Sequence, residues 1–205
     1  MVQYYTDRVI SGPFCVAIKL APFNTFGRYI VQDRAFLSFY AHYKPLLALK
    51  MHPLHPQASS ANFDTLRSQL DIFESFESKY GRLSLQPSKF TIDYEQRLIA
   101  SLNDPLEVAW SANLACPWLY LKLARDMRQN LEEQHPCRPW VNFLASTEFE
   151  SALNSKIELL HYLTERASPL LQEQMIGALR DALELELCFF NQAAYLTGNI
   201  NKANL

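Results

Sequence analysis

The spacing of apolar residues constrains this chain more than any other feature. From about residue 20 onward, hydrophobic side chains recur three and four positions apart, which is the period of an amphipathic helix and not the alternation of a strand. Only 5 of the 205 residues are glycine, which leaves few positions for the left-handed turns that β-hairpins need. The sequence therefore predicts an all-α fold, a single helical bundle in which residues 1–205 form one domain.

Start and stop signals divide the chain into six predicted helices. The first helix is capped by Thr25 and ends at Pro53 and Pro56, the second runs from Asn62 to a stop at Gly81, and the third runs from about Thr91 to Leu102. The fourth is capped by Asp104, with Pro105 as its first residue, and continues through Met127. The fifth runs from Trp140 to about Thr164, with an interruption near Ser146, which could cap its second part, and the sixth runs from Ser168 to Thr197, with Gly198 as the stop. Pro45 is expected to kink the last turns of the first helix.

Charge and cysteine usage exclude several classes of function. The 19 basic and 21 acidic side chains give a formal net charge of −2, without the basic surplus of a nucleic-acid-binding face. The first residues lack a secretory pattern, and no window approaches about 18 uninterrupted apolar residues. The four cysteines form no Cys-x-x-Cys motif, so neither a zinc site nor a disulfide framework is indicated. We expect a cytoplasmic protein with reduced thiols that binds neither nucleic acid nor a membrane.

Cys116 and Pro117 form the most informative segment. Pro117 falls inside the long predicted helix, where it cannot donate to the carbonyl of Asn113, so the helix axis should bend beside the thiol. Cys116 and Tyr120 are four residues apart and project from one face, which places a nucleophile and a phenol on the same side. The alternative is that both are ordinary core residues.

Two carboxylates fall on predicted apolar helix faces. Asp33 lies one turn from several large hydrophobic residues, although it could also form a solvated pair with Arg34. Glu184 and Glu186 cannot both face inward, and Glu186 shares its side with Phe189 and Phe190. A carboxylate on such a face must be hydrogen-bonded or bound to a ligand, because an unpaired buried charge is too costly. The alternative for Glu186 is a position at the edge of the core that reaches solvent.

Together these segments resemble the TenA family, which comprises thiaminase II and aminopyrimidine aminohydrolases with a haem-oxygenase-like helical fold. The resemblance covers most of the chain and rests on the order of its segments. They are Pro13-Phe14, Tyr29-Ile30-Val31-Gln32-Asp33, Phe36-Leu37, Cys116-Pro117-Trp118-Leu119-Tyr120, Trp140, Phe149 and the segment from Glu186 to Tyr195.

The resemblance implies hydrolysis of an aminomethylpyrimidine or of thiamin, as in thiamin salvage, with a pyrimidine as the small-molecule ligand. Cys116 matches the nucleophile, and Glu186 matches the carboxylate that binds the pyrimidine and moves protons. The substrate-binding positions that the resemblance implies are Asp33, Phe36, Tyr94, Tyr120, Phe189 and Phe190. It also implies that no metal or organic cofactor is needed and that the chains form a homo-oligomer, a dimer or tetramer.

Two departures from the family pattern leave a second interpretation open. Phe36 stands where many members have a tyrosine, and Leu144 is the nearest match to another such position. These losses are compatible with a catalytically weakened protein that binds a pyrimidine or another small ligand. A third interpretation is a metal-dependent oxidase on the same fold, because Glu132-x-x-His135 and Glu158-x-x-His161 have the spacing of di-iron ligands. The alternative for Glu132 and His135 is a loop, and the alternative for Glu158 and His161 is a solvated pair on a helix.

Overall fold

The computed structural model describes residues 1–52 and 64–196, and every regular element in these two ranges is a helix. In chain order the helices are α1 Val2–Ile10, α2 Pro13–Leu20, α3 Pro22–Met51, α4 Asp64–Tyr80, α5 Lys89–Ser101, α6 Leu106–Asn113, α7 Ala115–Asn130, α8 Arg138–Leu144, α9 Thr147–Arg166 and α10 Pro169–Tyr195. The predicted all-α fold is confirmed.

Three predicted helix termini, the starts of α9 and α10 and the end of α4, are confirmed by their capping geometry. Ser146 precedes α9, and its side chain accepts a hydrogen bond of 3.1 Å from a backbone N–H of the first turn. Ser168 caps α10 in the same way, with Pro169 as the first helical residue. Helix α4 ends at Tyr80, and Gly81 follows with φ of 94°, a left-handed conformation that glycine adopts without strain.

Two predicted capping residues are wrong, and in both cases a proline lies at the observed start of the helix. The predicted starts at Thr91 and Trp140 each lie two residues inside the observed helices α5 and α8. Thr25 lies inside α3, which begins at Pro22, and its hydroxyl donates to the Ala17 carbonyl at 3.2 Å, so it links α3 to α2. Asp104 does not cap α6, because Pro105 is the residue at the cap and the Asp104 side chain forms an ion pair of 3.7 Å with an arginine of α5. Proline fixes φ near the helical value and has no N–H to satisfy, which favours the first helical turn.

Other predictions concern the limits of individual helices. Pro45 lies inside α3, which continues to Met51. Helices α1 and α2 precede the region in which a helical period was recognised, so the spacing of apolar residues predicted neither. The predicted signals at Pro53, Pro56, Asn62, Thr197 and Gly198 lie outside the described residues.

Helix α10 forms the centre of the bundle. It packs against α1, α2, α3, α5, α6 and α7. Its buried face includes Leu179, Leu183 and Leu187, four residues apart, followed by the fully buried Phe190. Glu186 lies within this buried face. A polar side chain in this position can meet side chains from several other helices.

No single helix within residues 1–52 and 64–196 combines the length and the apolar character that a membrane span requires. One bent pair, Val2–Leu20 followed by Pro22–Met51 with 120° between them, meets the length and composition criteria together.

Two glycines provide a matched test of how α1 and α2 pack onto α10. A methyl group on Gly12, between α1 and α2, would lie 2.6 Å from the Arg8 carbonyl and 3.0 Å from Asn191 Oδ1, whereas one on Gly177 would meet nothing within 4 Å. We expect Gly177→Ala, inside α10, to raise the free energy of unfolding by about 1 kcal/mol through helix propensity. Gly12→Ala should lower it, because backbone has to move. Urea denaturation of both variants measures the difference, and equal effects would contradict the packing described here.

Candidate active site

Cys116 lies at a break in the predicted long helix. The stretch predicted as one helix from Asp104 to Met127 consists of two, with α6 ending at Asn113 and α7 beginning at Ala115. Pro117 is the third residue of α7, where a helical N–H has no partner within the helix, so its missing N–H costs nothing there. The predicted disturbance beside the thiol is confirmed, but it is a separation into two helices and not a bend within one.

The end of α6 is attached to α3 through a phenol. The Tyr40 hydroxyl donates a hydrogen bond of 2.8 Å to Asn113 Oδ1. Burial raises the pKa of Tyr40, and the charge of the Cys116 thiolate raises it further, so this phenol stays protonated and remains a donor. Tyr40 therefore helps to position the turn that presents Cys116.

Asp33 is a buried carboxyl group with several hydrogen-bond donors. It is 1% exposed and accepts hydrogen bonds from the Tyr120 hydroxyl at 3.2 Å and from Gln69 Nε2. The Tyr29 hydroxyl donates in turn to the Tyr120 oxygen at 2.9 Å. Burial raises the pKa of Asp33 to about 7, although these donors favour the charged form. The alternative of a solvated pair with Arg34 is wrong, because that arginine pairs with Glu77 at 2.8 Å.

Glu186 is the inward-facing member of the glutamate pair, as predicted. Glu184 points outward, where it accepts a hydrogen bond of 2.8 Å from the Tyr5 hydroxyl and lies 3.4 Å from Arg8. Glu186 is 1% exposed, and neither of its oxygens has a hydrogen-bond partner of regular geometry within residues 1–52 and 64–196. Burial raises its pKa to about 8, which outweighs the opposing effect of Tyr94 and Cys116. Its carboxyl group is therefore mostly protonated at neutral pH.

The predicted aromatic residues form two connected clusters around these acids. Phe36 stacks on Tyr94 with ring centroids 4.9 Å apart, and Phe189 lies 5.6 Å from Phe36. Phe190 packs against Tyr120 at 4.8 Å, and it lies 6.5 Å from Phe189, which joins the two clusters. The structure thus brings together all eight residues that the sequence suggested for the site, from helices α3, α5, α7 and α10.

The Cys116 thiol is strongly influenced by the two acids. Burial raises its pKa well above the usual value, and the negative charges of Glu186 and Asp33 raise it further. Lys156 acts in the opposite direction and lowers the pKa of the thiol. Near neutral pH the free protein therefore holds Cys116 as a thiol, close to one carboxyl group that is protonated and another that is about half ionised.

A separate groove lies on another part of the bundle. It has a volume of about 480 Å³ and is lined by residues of α4 and α8 and of the segment between α7 and α8, among them Phe76, Tyr80, His135 and Arg138. None of the predicted site residues lines this groove. The groove is therefore distinct from the site around Cys116.

Comparison with known proteins identifies the family of this chain. Residues 2–196 match the model of the TENA/THI-4/PQQC family. The chain belongs to this family. One family relative, from Helicobacter pylori, is called aminopyrimidine aminohydrolase and is 27% identical over 196 residues, which cover 90% of each chain. Another is the thiamine biosynthesis multifunctional protein of Corynebacterium glutamicum, 27% identical over 174 residues, which cover 82% of this chain but only 22% of that longer protein.

Solved structures of TenA homologues share the fold. A homologue from Pyrococcus furiosus has a TM-score of 0.81 at 18% identity and covers 93% of this chain and 95% of its own. A second, from P. horikoshii, has a TM-score of 0.79 at 15% identity and covers 94% of each chain. The predicted haem-oxygenase-like bundle is confirmed.

The two motifs with di-iron spacing do not converge. Glu132 and His135 follow the end of α7 in an irregular segment, and the ring nitrogens of His135 contact the Ile18 carbonyl and the Cys137 thiol. Glu158 and His161 lie on α9, and both are exposed. In the part of the chain that the structure describes, no three histidine, cysteine, aspartate or glutamate side chains are placed to share a metal ion.

Several residues at the site were not assigned a role from the sequence. Tyr29 and Tyr40 lie four residues before and seven after Asp33 on α3, so helical spacing alone could have placed them on its face. Gln69 on α4 carried no such signal, because it reaches Asp33 from a helix in which no candidate site residue was recognised.

The buried state of Glu186 leads to a prediction about stability that needs no substrate. A glutamate ionises near pH 4.3 when unfolded, whereas burial keeps Glu186 protonated up to about pH 8 in the folded protein. The folded state therefore loses stability from this group as pH rises from about 4 to 8. We expect Glu186→Gln to remove that loss, so its melting temperature should exceed that of the wild type by several degrees at pH 8 and by little at pH 4.5.

The matched control is Glu184→Gln, two residues away on the same helix. The Glu184 carboxylate is paired with Arg8 and Tyr5 at the surface. The difference in melting temperature between Glu184→Gln and the wild type should therefore not increase as the pH rises. Thermal unfolding followed by circular dichroism from pH 4.5 to 8.5 measures both variants. Parallel curves for wild type and Glu186→Gln would show that Glu186 is not protonated in the folded state.

Proposed function

We propose that this protein hydrolyses aminomethylpyrimidines, or thiamin itself, in thiamin salvage. The observation that carries the proposal is Glu186, a buried carboxyl group without a regular hydrogen-bond partner within the described residues. The Tyr94 hydroxyl nearby also lacks a partner there. Buried polar groups in folded proteins are almost always satisfied, so two unsatisfied groups beside a thiol indicate a place for a polar ligand.

An aminopyrimidine has an edge that is complementary to a protonated carboxyl group. Its exocyclic amino group donates and the adjacent ring nitrogen accepts, while a protonated carboxyl group donates through its O–H and accepts through its C=O. The raised pKa of Glu186, about 8, keeps the carboxyl group in that protonated form near neutral pH. The aromatic rings of Phe36, Tyr94 and Phe189 provide apolar faces for a flat heterocycle. The names of the two curated relatives, which refer to aminopyrimidine and to thiamine, support the same ligand class.

In the proposed reaction, Cys116 is the nucleophile. Its proton passes to Asp33, the thiolate forms a C–S bond with a ring carbon, and the ring nitrogen takes a proton from Glu186. The ring amino group then supplies an electron pair, the exocyclic C–N bond breaks, and the amine leaves as ammonia with the proton from Asp33. Water adds to the exocyclic methylene and returns a proton to Asp33. Finally the C–S bond breaks, the released Cys116 thiolate takes the proton from Asp33, and the ring nitrogen returns its proton to Glu186. One water is consumed, and one ammonia and one hydroxymethylpyrimidine are formed.

Binding without efficient turnover is the second candidate, and two positions favour it. Phe36 and Leu144 are both buried, 3% and 1% exposed, and neither provides a hydroxyl group. The site therefore has fewer hydrogen-bond donors than a pocket with tyrosines at these positions would have. A protein that binds the pyrimidine without hydrolysing a substrate would still use the carboxyl group of Glu186, whose donor and acceptor match the pyrimidine edge.

The nucleophile assignment predicts the effect of Cys116→Ala. With aminomethylpyrimidine or thiamin as substrate, the variant should release the pyrimidine alcohol at least about a thousandfold more slowly, because no covalent adduct can form. Chromatography of the products measures the rate. Cys188→Ala is the matched control, since this half-buried thiol lies on the outer part of α10, and it should keep the wild-type rate. Undiminished turnover by Cys116→Ala would contradict the assignment, and binding without turnover by the wild type would favour the second candidate.

The role of Glu186 predicts a loss of pyrimidine binding. Glu186→Leu should weaken the affinity for the pyrimidine alcohol product by about tenfold to a hundredfold, because a hydrocarbon side chain can form neither of the paired hydrogen bonds. Glu184→Leu should leave the affinity unchanged. Isothermal titration calorimetry at pH 7 measures both, and an equal affinity for the two variants would remove Glu186 from the binding site.

A further inference from the structure

A closed network of hydrogen bonds joins α3, α5 and α10 next to the candidate active site. The Thr91 hydroxyl donates to Gln32 Oε1 at 2.8 Å and accepts from Gln192 Nε2 at 3.2 Å. The Ser88 hydroxyl donates to Gln192 Oε1, and the Ser88 backbone N–H donates to Gln32 Oε1 at 2.8 Å, which closes the network. Gln32, Thr91 and Gln192 are all buried. We call these four residues the Thr91 network.

The network fixes how the three helices lie against one another. Burial of polar side chains is tolerated when hydrogen bonds replace the bonds to water. The amide nitrogen of Gln32 is satisfied as well, because it donates to the Gln86 carbonyl at 3.1 Å. A shift of one helix relative to the others would break bonds of the network and leave buried groups unpaired, so the network favours one relative position.

Each helix of the network also carries an aromatic residue of the candidate site, three or four residues from its network member. The pairs are Gln32 and Phe36 on α3, Thr91 and Tyr94 on α5, and Gln192 and Phe189 on α10. Residues with this spacing lie one turn apart on the same face of a helix.

The three aromatic residues, which we call the aromatic trio, contact one another. The ring centroids of Phe36 and Tyr94 lie 4.9 Å apart, those of Phe36 and Phe189 lie 5.6 Å apart, and those of Tyr94 and Phe189 lie 6.4 Å apart. The same three helices therefore meet twice, once through the Thr91 network and, one turn away, through the aromatic trio. Whatever fixes the first contact also constrains the second.

Thr91 is the member of the network that can be tested most cleanly. Both hydrogen bonds of its hydroxyl go to other helices, one to α3 and one to α10. Ser88 also contacts both helices, but its hydroxyl caps α5, where it accepts a hydrogen bond of 3.1 Å from the Phe90 N–H. Loss of the Thr91 hydroxyl therefore disconnects the three helices without removing the cap of α5.

We propose that Thr91 is a positioning residue whose hydroxyl sets the spacing of the aromatic trio, and with it the fit of a flat heterocycle in the site. That this heterocycle is an aminopyrimidine rests on the proposed function. The spacing of the three rings needs no ligand, so it can be measured in the free protein.

The test uses a substitution that removes the hydroxyl and keeps the shape of the side chain, Thr91→Val. Thr25→Val is the matched control, because Thr25 is 1% exposed, Thr91 is 0% exposed, and the Thr25 hydroxyl also joins two helices through its bond to the Ala17 carbonyl. Both variants should lower the melting temperature by several degrees, since each leaves a buried group without its partner. Thr91→Ser keeps the hydroxyl and should restore the properties of the wild type.

The first measurement is a crystal structure of each free protein. In Thr91→Val at least one of the three distances between ring centroids should change by about 1 Å, a displacement large enough to impair a site. In Thr25→Val and Thr91→Ser all three distances should stay as they are in the wild type. A role of Thr91 in stability alone would lower the melting temperature and leave these distances unchanged.

The second measurement is the affinity for hydroxymethylpyrimidine, by isothermal titration calorimetry at pH 7. Thr91→Val should bind this product about tenfold more weakly than the wild type, because the rings no longer fit the heterocycle. Thr25→Val and Thr91→Ser should bind it as the wild type does. Circular dichroism establishes that each variant is folded.

The two measurements separate failure of this inference from failure of the proposed function. If the wild type does not bind hydroxymethylpyrimidine, the proposed function fails, and the crystal structures alone decide the inference. An unchanged aromatic trio in a folded Thr91→Val would overturn the inference, as would an equal displacement in Thr25→Val, or an unchanged affinity where the wild type binds. If Thr91→Val does not fold, Gln192→Met breaks the same network from α10 and is judged by the same two measurements.

Discussion

The burial of two carboxyl groups and a thiol in one apolar region is the constraint on which the rest of this structure depends. Removal from water disfavours the charged form of each group, and their negative charges disfavour one another. As a result the pKa values of Asp33 and Glu186 rise to about 7 and about 8, and that of Cys116 rises well above its usual value. The two carboxyl groups, which are ordinarily ionised near neutral pH, can therefore take up and release protons there, whereas the thiol stays protonated.

The three groups differ in how the protein stabilises them. Asp33 receives hydrogen bonds from Tyr120 and Gln69, so its position is fixed by α4 and α7 as well as by its own helix. Glu186 has no comparable partner among the described residues and depends on the central position of α10. The difference matches the roles that we propose, in which Asp33 is positioned by the protein and Glu186 binds the ligand.

Contacts that lie farther from the site help to hold these three groups in position. Tyr5 and Arg8 of α1 hold Glu184 at the surface, which leaves the inner face of α10 to Glu186. Tyr40 holds the end of α6 through Asn113, next to the turn that begins α7. Each contact joins helices that are distant in sequence, so the site is assembled from long-range contacts between helices.

Local signals predicted most of the helices and the main polar residues of the site. Helical spacing and capping residues are properties of short segments, so the starts of α9 and α10, the end of α4 and the disturbance at Pro117 could be read directly. The same spacing placed Asp33 and Glu186 on buried faces. Thr25 and Asp104 were wrongly assigned as caps, because α3 begins at Pro22 and Pro105 is the residue at the cap of α6.

The sequence by itself thus determined the helical class and the inward positions of Asp33 and Glu186, because these depend on residues only a few positions apart. Only the tertiary structure determined that Gln69 donates to Asp33 and that Glu186 has no regular partner within the described residues. The physical reason is that desolvation and electrostatic coupling depend on which helices meet, and no local pattern encodes that choice.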